Sequence, residues 1–500
     1  METRATVETQ LIESPERLSD PPETRLRATP DARFWLAVAS ATALGGAVRF
    51  AYLLHGAPEL VLGDGFAYHF EALRIADGLG YTSAMGDVGA ELAHHPPGWV
   101  TLLAGVAEAG ARSMRAHQVT GLVVGLGVVV VAALVGRRYA GLRVGVVTAF
   151  LAAVYPGFWV LDVQILSEPL GLLACGLLLI VLADLWERPT AARAFVGGAV
   201  AGVLALVRSE QLLLLVIAAA PTLLFNQRIT FRRRLAWSGV AALTAAAVIA
   251  PWTIHNLGRF EEPVVLSTNS GSTLLIGNCP PGVYSGELIG YHDNRCLSQL
   301  TSSMPGLDRS QRDGLSRRAA FDNILDNVDR LPATVLARYG RVIGVFRPGQ
   351  TVGFVADWLG SATWAVWAWV ASFWLVAALG AYGSALLRHV GAFQWPLLAP
   401  LVIVVLVVTI AYGEPRYHTP ADLGLVVLAA VALDRFAGRL RSAAREPARR
   451  ADGGLVSRRG FTALGRTTLR QPATPTSRWA SGGVATRPAS RSDSSRLTSA

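Results

Sequence analysis

The first side chains suited to chemistry lie in a polar stretch just after the first apolar run. Asp64 stands within residues 63–70, and Tyr68 follows four residues later, so a helix there would place both side chains on one face. An Asp that opens a helix is commonly its N-cap. In a partly dry cleft the same carboxylate can act as a general base. The sequence leaves both interpretations of Asp64 open.

A pair of imidazoles, His94 and His95, directly precedes Pro96 and Pro97. Adjacent histidines seldom reach one metal ion without a further ligand nearby, which disfavours a zinc site. A hydrogen-bonding or phosphate-binding group beside a rigid turn fits the pattern better. A solvated loop is the alternative.

Two acidic residues, Asp162 and Glu168, flank a short connection between apolar runs. Ser167 and Pro169 suit the cap and first turn of a helix, and the helix dipole favours Glu168 there. A structural explanation therefore exists for this group. Ionisable residues at the mouth of a membrane bundle are nevertheless functional candidates by default.

Several arginines could meet an anion. Arg49 lies within the first apolar run, where it either snorkels to the interface or faces a cleft. Arg208 and Glu210 interrupt an apolar stretch and could neutralise each other in a tight turn. Arg416 stands beside Glu414 in a late, short loop.

The elements that must position these residues are membrane helices. The chain of 500 residues is 52% hydrophobic and only 16% charged, against about 25% charged in soluble domains. Runs of roughly 20 apolar residues can cross a bilayer, and only helices satisfy their own backbone there. The predicted segments are 34–54, 97–111, 117–136, 142–160, 168–186, 194–207, 209–225, 235–254, 361–387, 393–411 and 417–436.

The basic residues, all arginines, assign the loops to sides. Arginine-rich connections belong in the cytoplasm, which places both termini inside and loops 55–96, 161–167, 208–210, 255–360 and 412–416 outside. Segment 97–111 breaks the alternation and begins at two prolines, so we interpret it as re-entrant or interfacial. Ten crossings then remain, and acidic residues collect at the outer face.

The terminal regions and the long loop complete the predicted organisation. Residues 1–32 and 437–500 are predicted to be disordered and cytoplasmic, and the first apolar run to be a retained helix. The tail holds 13 Arg and 3 acidic residues, which accounts for the net charge of +10 and argues against nucleic-acid binding. Residues 33–254 and 361–436 would form the transmembrane parts. Loop 255–360 would form a folded cap with a helix over 312–328.

Cys279 and Cys296 share the long loop. In an extracytoplasmic loop they could form a disulfide, which would close about 16 residues and add about 3 kcal/mol. Two free thiols are the equally weighted alternative.

Taken in order, these motifs resemble a known superfamily. The pattern is an outer-loop Asp and Tyr, a basic residue before Pro-Pro, a Ser-Glu at a helix start, a Leu-x-Arg-x-Glu turn, a Pro-Trp-x-x-x-Asn segment and a late Glu-Pro-Arg-Tyr. It is similar to the GT-C-fold glycosyltransferases related to dolichyl-phosphate-mannose–protein mannosyltransferases and the lipid A aminoarabinose transferase. The resemblance covers residues 34–436. It implies an all-α polytopic GT-C fold with ten to eleven transmembrane helices, interfacial helices in the first outer loop and a small extracytoplasmic cap.

The resemblance also implies a reaction and a set of site residues. Such enzymes transfer a hexose or pentose, with inversion, from a polyprenyl-phosphate donor to a glycan, lipid or protein acceptor at the outer face of the cell membrane. No cofactor is required, although some relatives bind a divalent metal ion. The implied catalytic residues are Asp64, Asp162 and Glu168; the implied phosphate ligands are His95, Arg49, Arg208 and Arg416; the implied substrate contacts are Tyr68, His255, Asn256, Asn269, Asn278, Glu414 and Tyr417.

Two positions depart from the family pattern. Many relatives carry a second acid directly after the first-loop Asp, where this chain has Gly65. His255 stands where relatives usually have Arg, so phosphate binding there would depend on pH or be absent.

Two other classes of function remain open. A secondary transporter would also have many helices, but transporter halves usually show an internal repeat, and none is evident here. The second alternative is a non-catalytic membrane scaffold, or a polysaccharide ligase or polymerase of similar architecture. A ligase would take a whole glycan from a lipid diphosphate. Product size would distinguish that activity from transfer of one sugar.

Overall fold

The computed structural model describes residues 30–84, 88–303 and 306–456, and most of these residues are helical. The α-helices are α1 Pro30–His55, α2 Gly63–Ala76, α3 Pro97–Glu108, α4 Met114–Ala140, α5 Leu142–Val154, α6 Pro156–Asp162, α7 Glu168–Glu187, α8 Ala191–Val207, α9 Ala220–Leu224, α10 Phe231–Leu257, α11 Ser270–Gly277, α12 Arg295–Ser302, α13 Arg309–Asp326, α14 Leu331–Val342, α15 Pro348–Leu359, α16 Thr363–His389, α17 Trp395–Ile410 and α18 Thr419–Val456. Short 3₁₀ turns cover Ser209–Leu212, Gly282–Tyr284, Gly286–Leu288 and Pro415–His418, and a π-helix covers Leu215–Ala219.

Five of the described helices are long and apolar enough to cross a membrane: α1, α4, α7, α10 and α16. A sixth span results if α5 and α6, which meet at a bend of 52°, count as one. Three shorter apolar segments, 191–207, 209–224 and 395–410, add to these. The chain is therefore a multi-pass, all-helical membrane protein, as predicted. The total of ten to eleven spans stays a prediction.

Small residues allow the membrane helices to pack closely. A Cβ at Gly198 in α8 would collide with the backbone of Ala241 in α10. A Cβ at Gly136 in α4 would collide with the side chain of Thr148 in α5. Lipid supplies no hydrophobic drive between helices, so close backbone approach of this kind holds such bundles together.

The bend between α5 and α6 follows from Pro156, whose missing N–H and ring disfavour a continuous helix through Tyr155. Buried hydrogen bonds anchor both ends of α6. The Tyr155 hydroxyl donates to Asp422 Oδ2 in α18 at 2.9 Å. Arg49 Nε in α1 donates to Asp162 Oδ2 at 2.6 Å. A short connection then leads from α6 to Ser167 and Glu168 at the start of α7, so the fixed position of α6 also places these two residues.

The long loop between α10 and α16 contains five helices, α11 to α15. The helix predicted over 312–328 is confirmed as α13, and Asp308 caps it by accepting the N–H of Gln311 at 2.8 Å. Cys279 and Cys296 form a disulfide that joins the end of α11 to the start of α12.

Several predicted boundaries differ from the structure. The helix α18 continues to Val456, past the predicted start of a disordered tail at residue 437, because Ala- and Arg-rich sequence has high helix propensity. Residues 1–29 and 457–500, also predicted to be disordered, lie outside the described residues. Segment 209–225 is broken into 3₁₀, π and α turns. Segment 97–111 contains the short helix α3 of 12 residues.

Candidate active site

One cavity of about 500 Å³ gathers most of the predicted site residues. It lies between α2, the start of α7, the turn after α8, the helices of the long loop, and α17 with the turn that follows it. Nine of the predicted residues line it: Asp64, Tyr68, His95, Glu168, Arg208, Asn269, Glu414, Arg416 and Tyr417. Segments more than 300 residues apart in sequence therefore converge on one place.

An ion pair between Asp64 and Arg416 stands at one wall of the cavity. Arg416 Nη1 donates to Asp64 Oδ2 at 2.9 Å, and Arg416 Nε lies 3.3 Å from Glu414 Oε2. The guanidinium carbon also lies 4.3 Å from the centre of the Trp358 ring. Charge, planarity and the aromatic contact together fix Arg416 in one orientation.

Asp64 does not cap α2. The N-cap residue is Leu62, and Asp64 lies in the first turn with its carboxylate directed at Arg416. The capping interpretation of Asp64 is therefore wrong. Burial of the carboxyl group favours its neutral form, but Arg416 and His95 outweigh this and hold the pKa of Asp64 well below its usual value. Asp64 is consequently ionised at neutral pH, with its side chain 29% exposed to the cavity.

His95 and Tyr68 complete this wall. His95 Nε2 lies 3.7 Å from Asp64 Oδ1, and the ring centres of His95 and Tyr68 are 4.8 Å apart. The rigid Pro96-Pro97 turn at the start of α3 fixes where His95 stands. The turn therefore presents an imidazole beside the Asp64 carboxylate.

The packing of α2 explains why position 65 is a glycine, where the family resemblance implies a second acid. A Cβ at this position would collide with the carbonyl oxygen of Gln164 and with the side chain of Val61. The backbone of α2 approaches the connection after α6 too closely for any side chain. A second carboxylate directly after Asp64 is thus sterically excluded, and paired carboxylates at 64 and 65 play no part in this site.

A second ion-pair cluster forms another wall of the cavity. Arg208 Nη1 lies 2.8 Å from Glu168 Oε1, and Arg208 Nε donates to Glu210 Oε1 at 2.7 Å. Arg208 also reaches the Ser167 hydroxyl at 3.4 Å. Ser167 is the N-cap residue of α7, as predicted, but its side chain makes no capping hydrogen bond there.

The turn after α17 carries Glu414 and Tyr417 into the site. Glu414 is almost fully buried, and this burial raises the pKa of its carboxyl group although Arg416 acts in the opposite direction. The Tyr417 ring contacts the Tyr412 ring, with centres 5.1 Å apart. These aromatic contacts stabilise the turn that holds Arg416.

Sequence reasoning did not assign a site role to His292, Trp358 or Glu210, which also line the cavity. His292 and Trp358 come from the long loop, and no local sequence signal singles them out. Burial lowers the pKa of His292 to about 4 and that of His94 to about 3. Both imidazoles are therefore neutral at physiological pH and serve as hydrogen-bonding groups, not as fixed cations.

Two predicted residues, Arg49 and Asp162, do not reach the cavity. They bind each other in the membrane bundle, fully buried, and Arg49 Nη1 also donates to the Ala153 carbonyl at 3.0 Å. The predictions that Asp162 is catalytic and that Arg49 binds phosphate do not fit these positions. Their pairing fixes α6 instead.

Three predicted substrate contacts also lie away from the cavity lining. His255 Nε2 is 2.7 Å from Arg259 Nη1, in the turn that follows α10. Asn256 is fully buried in α10. Asn278 donates to the carbonyls of Leu274 and Ile410 and so ties α11 to α17. None of the three lines the cavity: Asn256 and Asn278 are buried among neighbouring segments, and His255 is exposed at the end of α10.

The described residues contain no group of three or more His, Cys, Asp or Glu arranged to hold a metal ion. What the cavity offers is an ionised carboxylate, two guanidinium groups, the neutral imidazoles of His94 and His292, and hydroxyl and amide groups. Such a set can orient a polar ligand and bind its anionic part by charge-assisted hydrogen bonds.

Solved structures similar to the chain include an archaeal oligosaccharyltransferase and ArnT, and their likeness to the chain is distant. The archaeal oligosaccharyltransferase AglB from Archaeoglobus fulgidus, solved with an inhibitory peptide and a dolichol-phosphate, is 14% identical over 83% of this chain and 52% of its own, with a TM-score of 0.49. ArnT from Cupriavidus metallidurans, bound to undecaprenyl phosphate, is 15% identical over 80% and 77%, with a TM-score of 0.37. The chain thus spans about half the length of the oligosaccharyltransferase it resembles.

No curated protein sequence matches the chain. The family model described as dolichyl-phosphate-mannose-protein mannosyltransferase matches residues 94–255, from His94 in the cavity wall to His255 at the end of α10. The resemblance indicated by the motifs is confirmed: residues 94–255 match the dolichyl-phosphate-mannose-protein mannosyltransferase family.

Proposed function

We propose that the chain is an inverting glycosyltransferase that moves one sugar from a polyprenyl-phosphate donor to an acceptor hydroxyl. The observation that supports this most directly is the cavity in which ionised Asp64, Arg416 and Arg208 converge beside an apolar wall. Ile403, Val404 and Val407 of α17 form that wall. A polar pocket that borders apolar membrane helices suits a donor with an anionic head and a lipid tail.

The chemistry requires a base and cations at fixed places. Asp64 would take the proton of the acceptor hydroxyl as its oxygen attacks the anomeric carbon of the donor sugar. The bond between that carbon and the phosphate oxygen breaks, and the lipid phosphate leaves with the electron pair. Single displacement from the opposite face inverts the anomeric centre. Arg416 and Arg208 would stabilise the charge that develops on the departing phosphate.

The remaining site residues receive roles from their positions. His95 would donate a hydrogen bond to the phosphate or to the acceptor beside Asp64. Tyr68, Asn269 and Tyr417 would contact sugar hydroxyls, because they are neutral hydrogen-bonding groups on the cavity wall. Glu168 and Glu414 would hold Arg208 and Arg416 in orientation through the ion pairs described above.

The location of the reaction follows from charge. We propose that the cavity faces the outer side of the cell membrane and that the termini are cytoplasmic, because the arginine-rich connections belong inside. Residues 33–254 would then form the catalytic module, 255–360 the cap and 361–436 the last transmembrane helices. A cell-envelope glycan, lipid or protein would be the acceptor.

The test is a transfer assay with membranes that lack the native protein and contain the restored wild type, Asp64→Asn or Asp77→Asn. Radiolabelled polyprenyl-phosphate sugars serve as donors. Asp77 is the matched control because it pairs with Arg112 at an exposed surface. We expect wild type and Asp77→Asn to transfer label and Asp64→Asn to lose about 10²-fold or more.

Other outcomes would overturn specific parts of the proposal. Equal transfer by Asp64→Asn and wild type would remove Asp64 from the chemistry. A product that carries a whole glycan from a lipid diphosphate would identify a ligase. Absence of transfer from every donor, with the protein folded in the membrane and acceptor fractions supplied, would reject the glycosyltransferase function.

A further inference from the structure

The helix α14, in the long loop, has its polarity reversed relative to a water-exposed helix. Each of its exposed residues is apolar: Pro332, Ala333 and Leu336, the last 73% exposed. Its two charged residues, Arg338 and Arg341, are 1% and 0% exposed. An amphipathic helix on a soluble cap would bury its apolar face and expose its charges. The exposed face of α14 is therefore unsuited to water.

The buried arginines of α14 are held inside by backbone carbonyls. Arg338 donates to the carbonyl oxygens of Thr409 at 2.5 Å and of Gly277 at 2.9 Å. Arg341 donates to the carbonyl oxygens of Ile289 and Glu287, each at 2.7 Å. These contacts fix the rotation of the helix about its axis, so the apolar face cannot turn inward without breaking them.

The exposed face of α14 continues the apolar surface of α17. The Tyr339 hydroxyl donates to the Val405 carbonyl at 3.1 Å and lies 2.6 Å from Thr409 Oγ1. Val405 and Ile410 are themselves exposed, on a helix that consists almost entirely of apolar residues. Leu336 lies one turn before Tyr339 on α14. Its side chain therefore extends a surface that already belongs to the membrane-embedded part of the chain.

The preceding helix, α13, adds an apolar stripe near its C-terminal end, close to the start of α14. Phe321 and Leu325 are exposed four residues apart on α13, Val328 is exposed in the turn that follows it, and Leu325 is 70% exposed. The adjacent exposed positions are acidic, Asp322 and Asp326. An apolar stripe bordered by charged residues is typical of a helix that lies in the lipid headgroup region.

We propose that α14 and the C-terminal end of α13 are immersed in the bilayer leaflet on the cavity side, so that this part of the long loop is not a water-exposed cap. The occupant of the apolar face is lipid of the bilayer that the chain spans. The helix α14 also contacts the Pro415–His418 turn that holds Arg416. Lipid that contacts α14 is therefore separated from the proposed active site by this helix and the turn that carries Arg416.

The experiment measures the depth of a fluorescent label in protein reconstituted into phospholipid vesicles. Single labels go on Leu336→Cys and Leu325→Cys, with Asp322→Cys as the matched control on the polar side of α13. Native thiols do not interfere, because Cys175 is buried and the other two cysteines form the disulfide. Val328→Cys provides a second site in the stripe if either apolar variant folds poorly.

Quenching by lipid-attached nitroxide is compared with quenching by aqueous iodide. We expect labels at 336 and 325 to show several-fold stronger lipid quenching and several-fold weaker iodide quenching than the label at 322. Equal iodide quenching at 336 and 322 would overturn the proposal, since the face would then be in water. Protection of 336 from both quenchers would also overturn it, because another protein or a second copy would then cover the face.

Discussion

Arg416 Nη1 and Asp64 Oδ2 lie 2.9 Å apart although 352 residues separate them in the chain. The pair joins the first polar segment after α1 to the turn between α17 and α18. The pair can form only when these two segments are packed together in the folded protein, so it is present only where the native site is assembled. The first prediction below tests this pair directly.

Replacement of Arg416 by lysine should reduce transfer strongly while the protein stays folded. A lysine keeps the positive charge but cannot span Asp64 and Glu414 or stack on Trp358 with a planar group. We expect kcat/KM to fall by about 10²-fold, the size observed when a donor to a developing oxyanion is removed. The measurement is the sugar-transfer assay, with Arg112→Lys as the exposed control. Retention of wild-type kcat/KM in Arg416→Lys would contradict the role of the guanidinium plane.

The buried pair of Arg49 and Asp162 should matter for folding and not for the chemical step. Asp162→Asn leaves a buried guanidinium without its counter-charge, which typically costs about 3–5 kcal/mol. We expect a lower yield of folded protein and a lower unfolding temperature in detergent, with transfer per folded molecule close to wild type. Asp64→Asn should give the opposite pattern, normal yield and lost transfer. A normal yield with lost transfer in Asp162→Asn would restore the catalytic assignment of Asp162.

Glu71 in α2 should make stability depend on pH near neutrality. Burial raises the pKa of its carboxyl group to about 7, although His95 and Arg309 act in the opposite direction. The folded state then holds a proton that the unfolded state releases above about pH 4.5, so the free energy of unfolding decreases as pH rises from about 4.5 to 7. Glu71→Gln should remove this decrease and stabilise the protein by about 1–3 kcal/mol at pH 8, with little effect at pH 4. Unfolding temperatures measured across that range test the sign, and parallel pH profiles for the two proteins would refute it.

Loss of the disulfide between Cys279 and Cys296 should destabilise the helices of the long loop. The bond closes a segment of 17 residues, for which the loss of chain entropy in the unfolded state predicts about 3 kcal/mol. Because Asn294 and Leu297 flank Cys296 and line the cavity, Cys296→Ser should also raise the KM of the acceptor. Cys175→Ala is the control for removal of a buried thiol. An unchanged unfolding temperature in both Cys296→Ser and reduced wild type would show that the bond contributes nothing.

Removal of Arg208, the charged partner of Glu168, should reduce activity. In Arg208→Met the almost fully buried Glu168 carboxylate loses its guanidinium, so we expect the donor KM to rise about tenfold and kcat to fall. Arg208→Lys should recover part of the loss in KM, since the positive charge returns. Full activity in Arg208→Met would exclude Arg208 from donor binding.

The sequence determined the class of the protein and pointed to nine of the residues that line the candidate cavity. Long apolar runs admit only helices in lipid, whatever they pack against. Asp64, His95, Glu168, Arg208 and Arg416 stand out because ionisable residues at the mouth of a membrane bundle are functional candidates by default, and because the motifs that contain them resemble a known family.

The tertiary structure decided which of those residues meet. Asp162 and Glu168 looked equivalent in sequence, yet six residues are enough to turn one side chain into the bundle toward Arg49 and the other into the cavity. The contacts of His292 and Trp358 with the site depend on how the long loop folds back, which local patterns do not encode. Likewise, the inverted polarity of α14 appears only when burial is known, because its sequence alone shows arginines and apolar residues without indicating which face meets protein and which meets lipid.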